Sequence, residues 1–150
     1  MTIRFFSQSD SHREFSNFAP FDVELDEVHW PTVEHYYQAQ KFTDPALQRE
    51  IRKAAKPPIA KSLAEKHKAE MRPDWDAIKD EVMYRAVKCK FARHPQLYAL
   101  LMATGEEEIA ECAPHDYYWG VGRDSTGQNR LGKIIERIRA ELRAAAHPGS

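Results

Sequence analysis

Trp30-Pro31-Thr32-Val33-Glu34-His35-Tyr36-Tyr37-Gln38-Ala39-Gln40-Lys41-Phe42 passes from strand-like to helix-like sequence. Val28-His29-Trp30 reads as the return strand of a hairpin, and Pro31-Thr32 ends it. Thr32 then offers a side-chain oxygen as the N-cap of a helix reaching to about Phe42. In that helix Glu34, Gln38 and Lys41 stand at i, i+4 and i+7 and share one face, a polar stripe beside Val33, Tyr36, Tyr37 and Phe42. An acid and an amine so spaced suit a solvated helix face. The aromatic bulk suits the wall of a cleft instead, where desolvation would shift their pKa values.

Working outward, Ile3 to Phe6 predicts a short strand. Phe21, Val23 and Leu25 alternate with Asp22, Glu24 and Asp26 as a half-buried strand should. Downstream, Asp44-Pro45 starts a helix marked by Leu47, Ile51 and Ala54, which Pro57-Pro58 stops before a short segment carrying Ile59 and Leu63. The basic stretch 64–72 is either an exposed helix end or a loop. Arg72-Pro73-Asp74-Trp75 opens a helix with apolar marks at Trp75, Ile78, Val82, Ala86 and Cys89. His94-Pro95 breaks it; Leu97, Leu100 and Leu101 mark the next, and Gly105 stops that one. Residues 106–112 fit a helix or a short strand, and 114–132 form a glycine-rich loop too long for a simple connector. The last helix has the stripe Leu131, Ile134, Ile135, Ile138 and Leu142, with Lys133, Glu136, Arg137 and Arg139 over the rest. The expected architecture is mainly α (α+β), one domain over residues 1–144 with a small antiparallel β element near its start, and a disordered tail over 145–150.

Composition narrows the function classes. A chain of 150 residues with 42% hydrophobic residues can bury a core, and a formal charge of −1 gives no general grip on nucleic acid or an anionic membrane. The two cysteines, Cys89 and Cys112, lack CxxC spacing, which argues for a reducing compartment; the cytoplasm is expected. No signal-peptide hydrophobic region is visible, and no apolar run approaches the roughly 18 residues of a membrane span. The seven histidines show no ligand spacing, so no metal is expected, and no serine sits in a nucleophile elbow.

Other stretches could carry chemistry. Asp116-Tyr117-Tyr118-Trp119-Gly120 sets a carboxylate beside flat rings, suited to gripping a base or sugar, although Asp116 equally suits a turn or cap. Trp75 could be a stacking platform or a core anchor. Gly127-Gln128-Asn129-Arg130-Leu131-Gly132 leads into a helix, where backbone N–H groups attract anions and glycine permits close approach; Arg123 and Arg130 add charge. Phe15-Ser16-Asn17-Phe18 either holds a heterocycle edge or is a buried loop anchored by its phenylalanines.

Taken together these motifs resemble the YbiA-like family, also called NADAR domains, over nearly the whole chain. The match lies in Glu14-Phe15-Ser16-Asn17-Phe18, Trp30-Pro31-Thr32, Glu34-His35-Tyr36-Tyr37-Gln38-Ala39, Lys41-Phe42, Asp74-Trp75 and Lys90-Phe91. It continues through Asp116, Trp119-Gly120-Val121-Gly122, Gly127, Asn129, Leu131 and Gly132. The resemblance implies a mainly α fold and an N-glycosidase cleaving the bond between ribose and a nitrogen base. In the YbiA-like branch it implies phosphoribosylated aminopyrimidine intermediates of riboflavin biosynthesis as substrates. In other NADAR members it implies removal of ADP-ribose from guanine in DNA; a non-catalytic ADP-ribose or nucleotide-binding module is the remaining alternative. Such a reaction builds positive charge on the sugar, so Glu34 is expected as the anion and water activator, with Asp116 as second carboxylate. Lys41 could instead act as a Schiff-base amine. Substrate contacts are expected from Phe15, Asn17, Gln38, Trp75, Trp119, Gly120, Gly127, Asn129 and Arg130, with no cofactor.

Overall fold

The computed structural model describes residues 1–146, which fall into two units: Pro20–Lys90, and Met1–Ala19 together with the chain from Phe91 onward.

In the Pro20–Lys90 unit the expected hairpin is present. Strands β2 (Val23–Leu25) and β3 (Val28–Trp30) pair antiparallel, Val23 opposite Trp30. Asp26 and Glu27 turn the corner with φ of 53° and 65°, the backbone hand that matches strand twist in a two-residue hairpin loop. Thr32 caps helix α1 (Val33–Ala39) as expected, accepting from the His35 N–H at 3.2 Å. The helix ends earlier than Phe42, however. Beyond Ala39 the bonding tightens to i→i+3, with Lys41 N–H on Gln38 O and Phe42 N–H on Ala39 O, so Lys41 lies on a tight turn following the helix.

Helices α2 (Pro45–Arg52) and α3 (Pro57–Lys66) pack on α1 through buried Leu47, Ile51, Ala60 and Ala64. Pro57 therefore starts a helix where a stop and a short segment were expected. Its missing N–H is an orphan at that position anyway, and its φ is already helical. Stretch 64–72 holds the end of α3 and a 3₁₀ turn at Lys68–Glu70. Helix α4 (Trp75–Arg93) follows. Its fully covered face is Trp75, Met83, Ala86, Val87, Lys90 and Phe91, while the expected marks Ile78, Val82 and Cys89 are only half-buried.

A fixed histidine tautomer locks α1 to the end of α2. His35 Nε2 lies 2.9 Å from the Ala54 carbonyl, which can only accept, so Nε2 carries the proton. Nδ1 then accepts from the Thr32 hydroxyl at 2.8 Å. Burial pushes the ring's pKa below its ordinary 6.5, against the opposing pull of the Ala54 carbonyl. Below pH 6.5 the unfolded chain takes up a proton that the folded ring resists. This contribution to stability is thus fully present above that pH and lost as pH falls through the depressed folded value. Melting temperature should drop between pH 7.5 and 5, and His35→Gln should flatten that slope; an equal slope in the variant would remove His35 from the account.

The second unit takes its sheet from distant parts of the chain. Strand β1 (Thr2–Phe5) pairs parallel with β4 (Glu108–Glu111), Thr2 beside Glu108 and Phe5 beside Glu111. The strand expected from Ile3 to Phe6 is thus present as β1, and within 106–112 the stretch Glu108–Glu111 is strand; their parallel pairing was not expected. Helix α5 (Pro95–Ala103) precedes it and ends at Gly105, whose φ of 64° is the left-handed stop expected there. Helix α6 (Arg130–Ala146) runs two residues into the expected tail; the rest of that tail lies outside the described residues.

Side chains of and just before α6 cover the free edge of β4. Glu136 Oε2 accepts the Ile109 N–H at 2.8 Å, Asn129 Oδ1 the Glu111 N–H at 3.0 Å, and Asn129 Nδ2 donates to Ile109 O at 2.8 Å. A strand edge left open is a template for unwanted pairing. Arg139, also expected outside, is buried: its Nη1 donates to Thr104 Oγ1 and Glu107 O, both at 2.9 Å. Amphipathic periodicity assigns such groups to the wet face, and misses that a sheet edge demands donors and acceptors.

Candidate active site

Helix α1 carries the best-formed cluster of chemical groups. Glu34 is 6% exposed and Gln38 4%, so the stripe is not a solvated face. Taking a carboxylate out of water costs several kcal/mol (roughly) unless partners offset it. Gln38 and Lys41 are among its partners. Gln38 Nε2 donates to Glu34 Oε2 at 3.1 Å, one helical turn away, and Lys41 is close enough for the Glu34 charge to act on it.

Lys41 is half-buried, its Nζ 5.4 Å from the centre of the Tyr37 ring. Burial lowers its pKa; Glu34 and Glu65 oppose that shift, and Lys61 and Lys79 add to it. A larger share of neutral amine at neutral pH is what a nucleophilic lysine needs. The Tyr37 ring is held in turn by Trp75, edge-on with centroids 5.2 Å apart. Trp75 itself is 4% exposed and anchors Tyr37.

The other unit holds the remaining expected residues, and several have structural tasks. Phe15 is wholly buried, edge-on to Phe5 and Phe91 at 5.8 and 5.2 Å, which makes the Phe15–Phe18 loop core-anchored; Asn17 beside it is half-buried. Asn129 spends its amide on β4. The glycine segment is not an open anion cradle. The N–H groups of Gly127, Gln128, Asn129, Arg130 and Leu131 donate to the carbonyls of Val121, Tyr117, Gly120, Tyr118 and Trp119 respectively. Gly120 and Gly127 permit this close folding: a Cβ on Gly120 would lie 2.7 Å from Glu111 O, and one on Gly127 2.8 Å from the Val121 carbonyl carbon. Glycine for phosphate and glycine for backbone packing look alike in sequence; only the hydrogen bonds separate them.

Asp116, Trp119 and Arg130 keep partly exposed side chains. Asp116 Oδ1 accepts from Tyr118 N–H at 3.1 Å and Trp119 N–H at 2.8 Å, so it builds the turn that displays both rings. Tyr118 packs edge-on to Trp119 at 4.8 Å, and the Arg130 guanidinium lies 4.8 Å over Tyr118. Asp116→Asn keeps Oδ1 and should keep the melting temperature. If the charge serves chemistry, turnover falls by about a hundredfold or more; wild-type turnover would leave Asp116 to the turn alone.

This order of motifs on this mixture of helices and short strands is matched as a whole. The sequence profile described as NADAR domain covers residues 4–143. The chain belongs to the NADAR domain family. N-glycosidase YbiA of Escherichia coli (strain K12) is 40% identical to this NADAR chain over 140 residues, 93% of this chain and 88% of that protein. Riboflavin biosynthesis protein VVA0006 of Vibrio vulnificus is 38% identical over 144 residues; the NADAR domain spans 96% of this chain but 39% of that longer protein. The NMR structure of E. coli YbiA superposes with a TM-score of 0.91 at 37% identity, covering 100% of this chain and 89% of that one.

Besides Arg139, a second buried cation of this NADAR domain, Lys90, entered the sequence reading only as part of the family match. Lys90 is 1% exposed, its Nζ 5.8 Å from the centre of the Phe21 ring. A lysine reads as surface, yet Lys90 stands three and four residues after buried Val87 and Ala86, and that spacing was the available signal. Among the described residues no three His, Cys, Asp or Glu side chains group to hold a metal, and no helix is long and apolar enough to cross a membrane.

Proposed function

We propose that the chain is an N-glycosidase that hydrolyses the ribose-to-base bond of phosphoribosylated aminopyrimidine intermediates of riboflavin biosynthesis. The single observation that carries this reading is the buried Glu34 carboxylate, oriented by Gln38 and facing the charge of half-buried Lys41. The names of the relatives point the same way. As the C1′–N bond lengthens, its electron pair moves onto the base and positive charge gathers on the sugar. A desolvated carboxylate stabilises that charge far better than one in water. Glu34 also takes a proton from the water that attacks C1′, leaving ribose 5-phosphate and free base. The proton that Glu34 gains balances the one the departing base takes up, so the step is a net hydrolysis; Asp116→Asn tests the second carboxylate separately. Within the other unit Arg130, rather than the glycine backbone, is the group with a charge to offer a phosphate.

Lys41 supports a second reading, in which its neutral amine condenses with the opened ribose. The two routes separate by borohydride: a Schiff base is reduced to a stable adduct of protein and sugar, whereas direct hydrolysis leaves none. The substrate test incubates the protein with the phosphoribosyl aminopyrimidine and, separately, with DNA ADP-ribosylated on guanine, and follows release by chromatography across a salt series. Free base from the small substrate, with shallow salt dependence, supports the proposal. Rapid removal of ADP-ribose from DNA with steep salt dependence, and no action on the nucleotide, overturns it.

A further inference from the structure

Gln38 has an atom that its partnership with Glu34 does not use. The Glu34 carboxylate only accepts, so the Gln38 amide must turn its nitrogen toward Glu34 and its oxygen away. Gln38 is 96% covered, and among the described residues Oε1 meets no hydrogen-bond donor. Rotating the amide to satisfy that oxygen would break the bond to Glu34 and set two acceptors together. The orphan is therefore fixed by the very contact that orients the carboxylate. Buried carbonyl oxygens in native folds are nearly always paired, and one held open next to a reacting group suits a donor brought by a ligand.

We infer that Gln38 Oε1 accepts a hydrogen bond from the ribose 2′-hydroxyl of the substrate, making Gln38 the residue that selects ribosyl over 2′-deoxyribosyl compounds. The inference rests on the N-glycosidase reading of Glu34. If Glu34 works at C1′, a group one helical turn away meets the atoms next to C1′. The ring oxygen carries no proton, and the 2′-hydroxyl is the O–H donor on the adjacent carbon. As C1′ becomes positive the 2′-hydroxyl becomes a stronger donor, so the bond tightens toward the transition state. One amide thus serves two contacts: its nitrogen orients the carboxylate, and its oxygen reads the sugar.

Two variants separate the contacts. Gln38→Met keeps length and bulk but removes both; Gln38→Glu keeps an acceptor oxygen and removes the donor to Glu34. Each is assayed with the ribosyl and the 2′-deoxyribosyl 5′-phosphate of the same aminopyrimidine, so that the intrinsic lability of deoxyribosides cancels in the comparison. In Gln38→Met the ratio of kcat/KM for ribosyl over deoxyribosyl should fall by about ten- to a hundredfold from its wild-type value. In Gln38→Glu that ratio should stay within about threefold of wild type while kcat falls for both substrates. A wild-type ratio in Gln38→Met overturns the inference, whatever the loss of overall rate, and leaves Gln38 as a positioning residue for Glu34 or a contact to the base. Should Gln38→Met fail to fold by circular dichroism, product inhibition of the wild type decides: ribose 5-phosphate must inhibit several-fold more strongly than 2-deoxyribose 5-phosphate, and equal inhibition overturns the inference. Absence of base release from either substrate by the wild type defeats the N-glycosidase reading and this inference with it, whereas release with an unchanged ratio defeats only the inference.

Discussion

Glu34→Gln should lower kcat/KM by about 10²- to 10⁴-fold, equivalent to roughly 3–5 kcal/mol, while leaving the melting temperature within a few degrees of wild type. The amide has the shape of the carboxylate and can still meet Gln38, so α1 keeps its packing. What disappears is the negative charge. In a position only 6% exposed that charge is a burden to folding, and replacing it with a neutral group relieves the desolvation cost. The change also removes the attraction that opposes the lowering of the Lys41 pKa, so the amine becomes more neutral still. A Schiff-base route would therefore survive Glu34→Gln better than direct hydrolysis would. Near-normal turnover at an unchanged melting temperature would end the case for Glu34 as the working carboxylate.

Gly132→Ala is the second large effect, and it lies in stability. A Cβ at this point of α6 would overlap the Ile109 carbonyl oxygen and lie 2.5 Å from both amide atoms of Asn129. Neither neighbour can yield cheaply, because the carbonyl is part of β4 and the Asn129 amide is tied to both Ile109 and Glu111. Either α6 lifts from the strand or two buried hydrogen bonds break. The loss should exceed about 3 kcal/mol, a fall in melting temperature of about 6–12 °C for a chain of this size. Gly105→Ala is the control: nothing lies within 4 Å of its Cβ, and only the left-handed φ of 64° opposes the change, at about 1 kcal/mol. Urea melts of the two variants give the comparison, and a Gly132→Ala midpoint equal to that of Gly105→Ala would contradict the contact.

Local rules made much of this legible. Thr32 and Asp44 act as caps, Trp30 closes the hairpin, Gly105 stops a helix, and the stripe joining Glu34 to Gln38 is real. These features depend on neighbours within a few positions, which is what periodicity and capping residues encode. The failures share a different physics. Strand β4 could not be assigned because its partner β1 lies far away in sequence, and short segments take their state from such partners. Glu136 and Arg139 read as surface because the sequence does not reveal the partners that await them, the β4 edge for Glu136 and the Thr104 hydroxyl and Glu107 carbonyl after α5 for Arg139. Phe15, Trp75 and Asn129 have the residue types that bind nucleotides, and the structure adds packing and hydrogen-bonding tasks that residue type alone does not reveal. Residue type states what a side chain can do, and three-dimensional neighbours decide whether that capacity is already spent.

The pairing of β1 with β4 also sets a timetable for synthesis. Thr2 emerges ahead of its partner Glu108, which follows 106 positions later. At about 5–20 residues per second that delay is on the order of 5–20 s. The stretch Pro20–Lys90 is continuous and can begin to organise meanwhile, since its hairpin and first helices need only near neighbours. During the interval the Thr2–Phe5 segment, apolar at Ile3 and Phe5, has no native strand beside it and is open to chance association. The nascent chain therefore carries an unpaired strand through most of its synthesis, and that exposure closes only when residues 108–111 arrive.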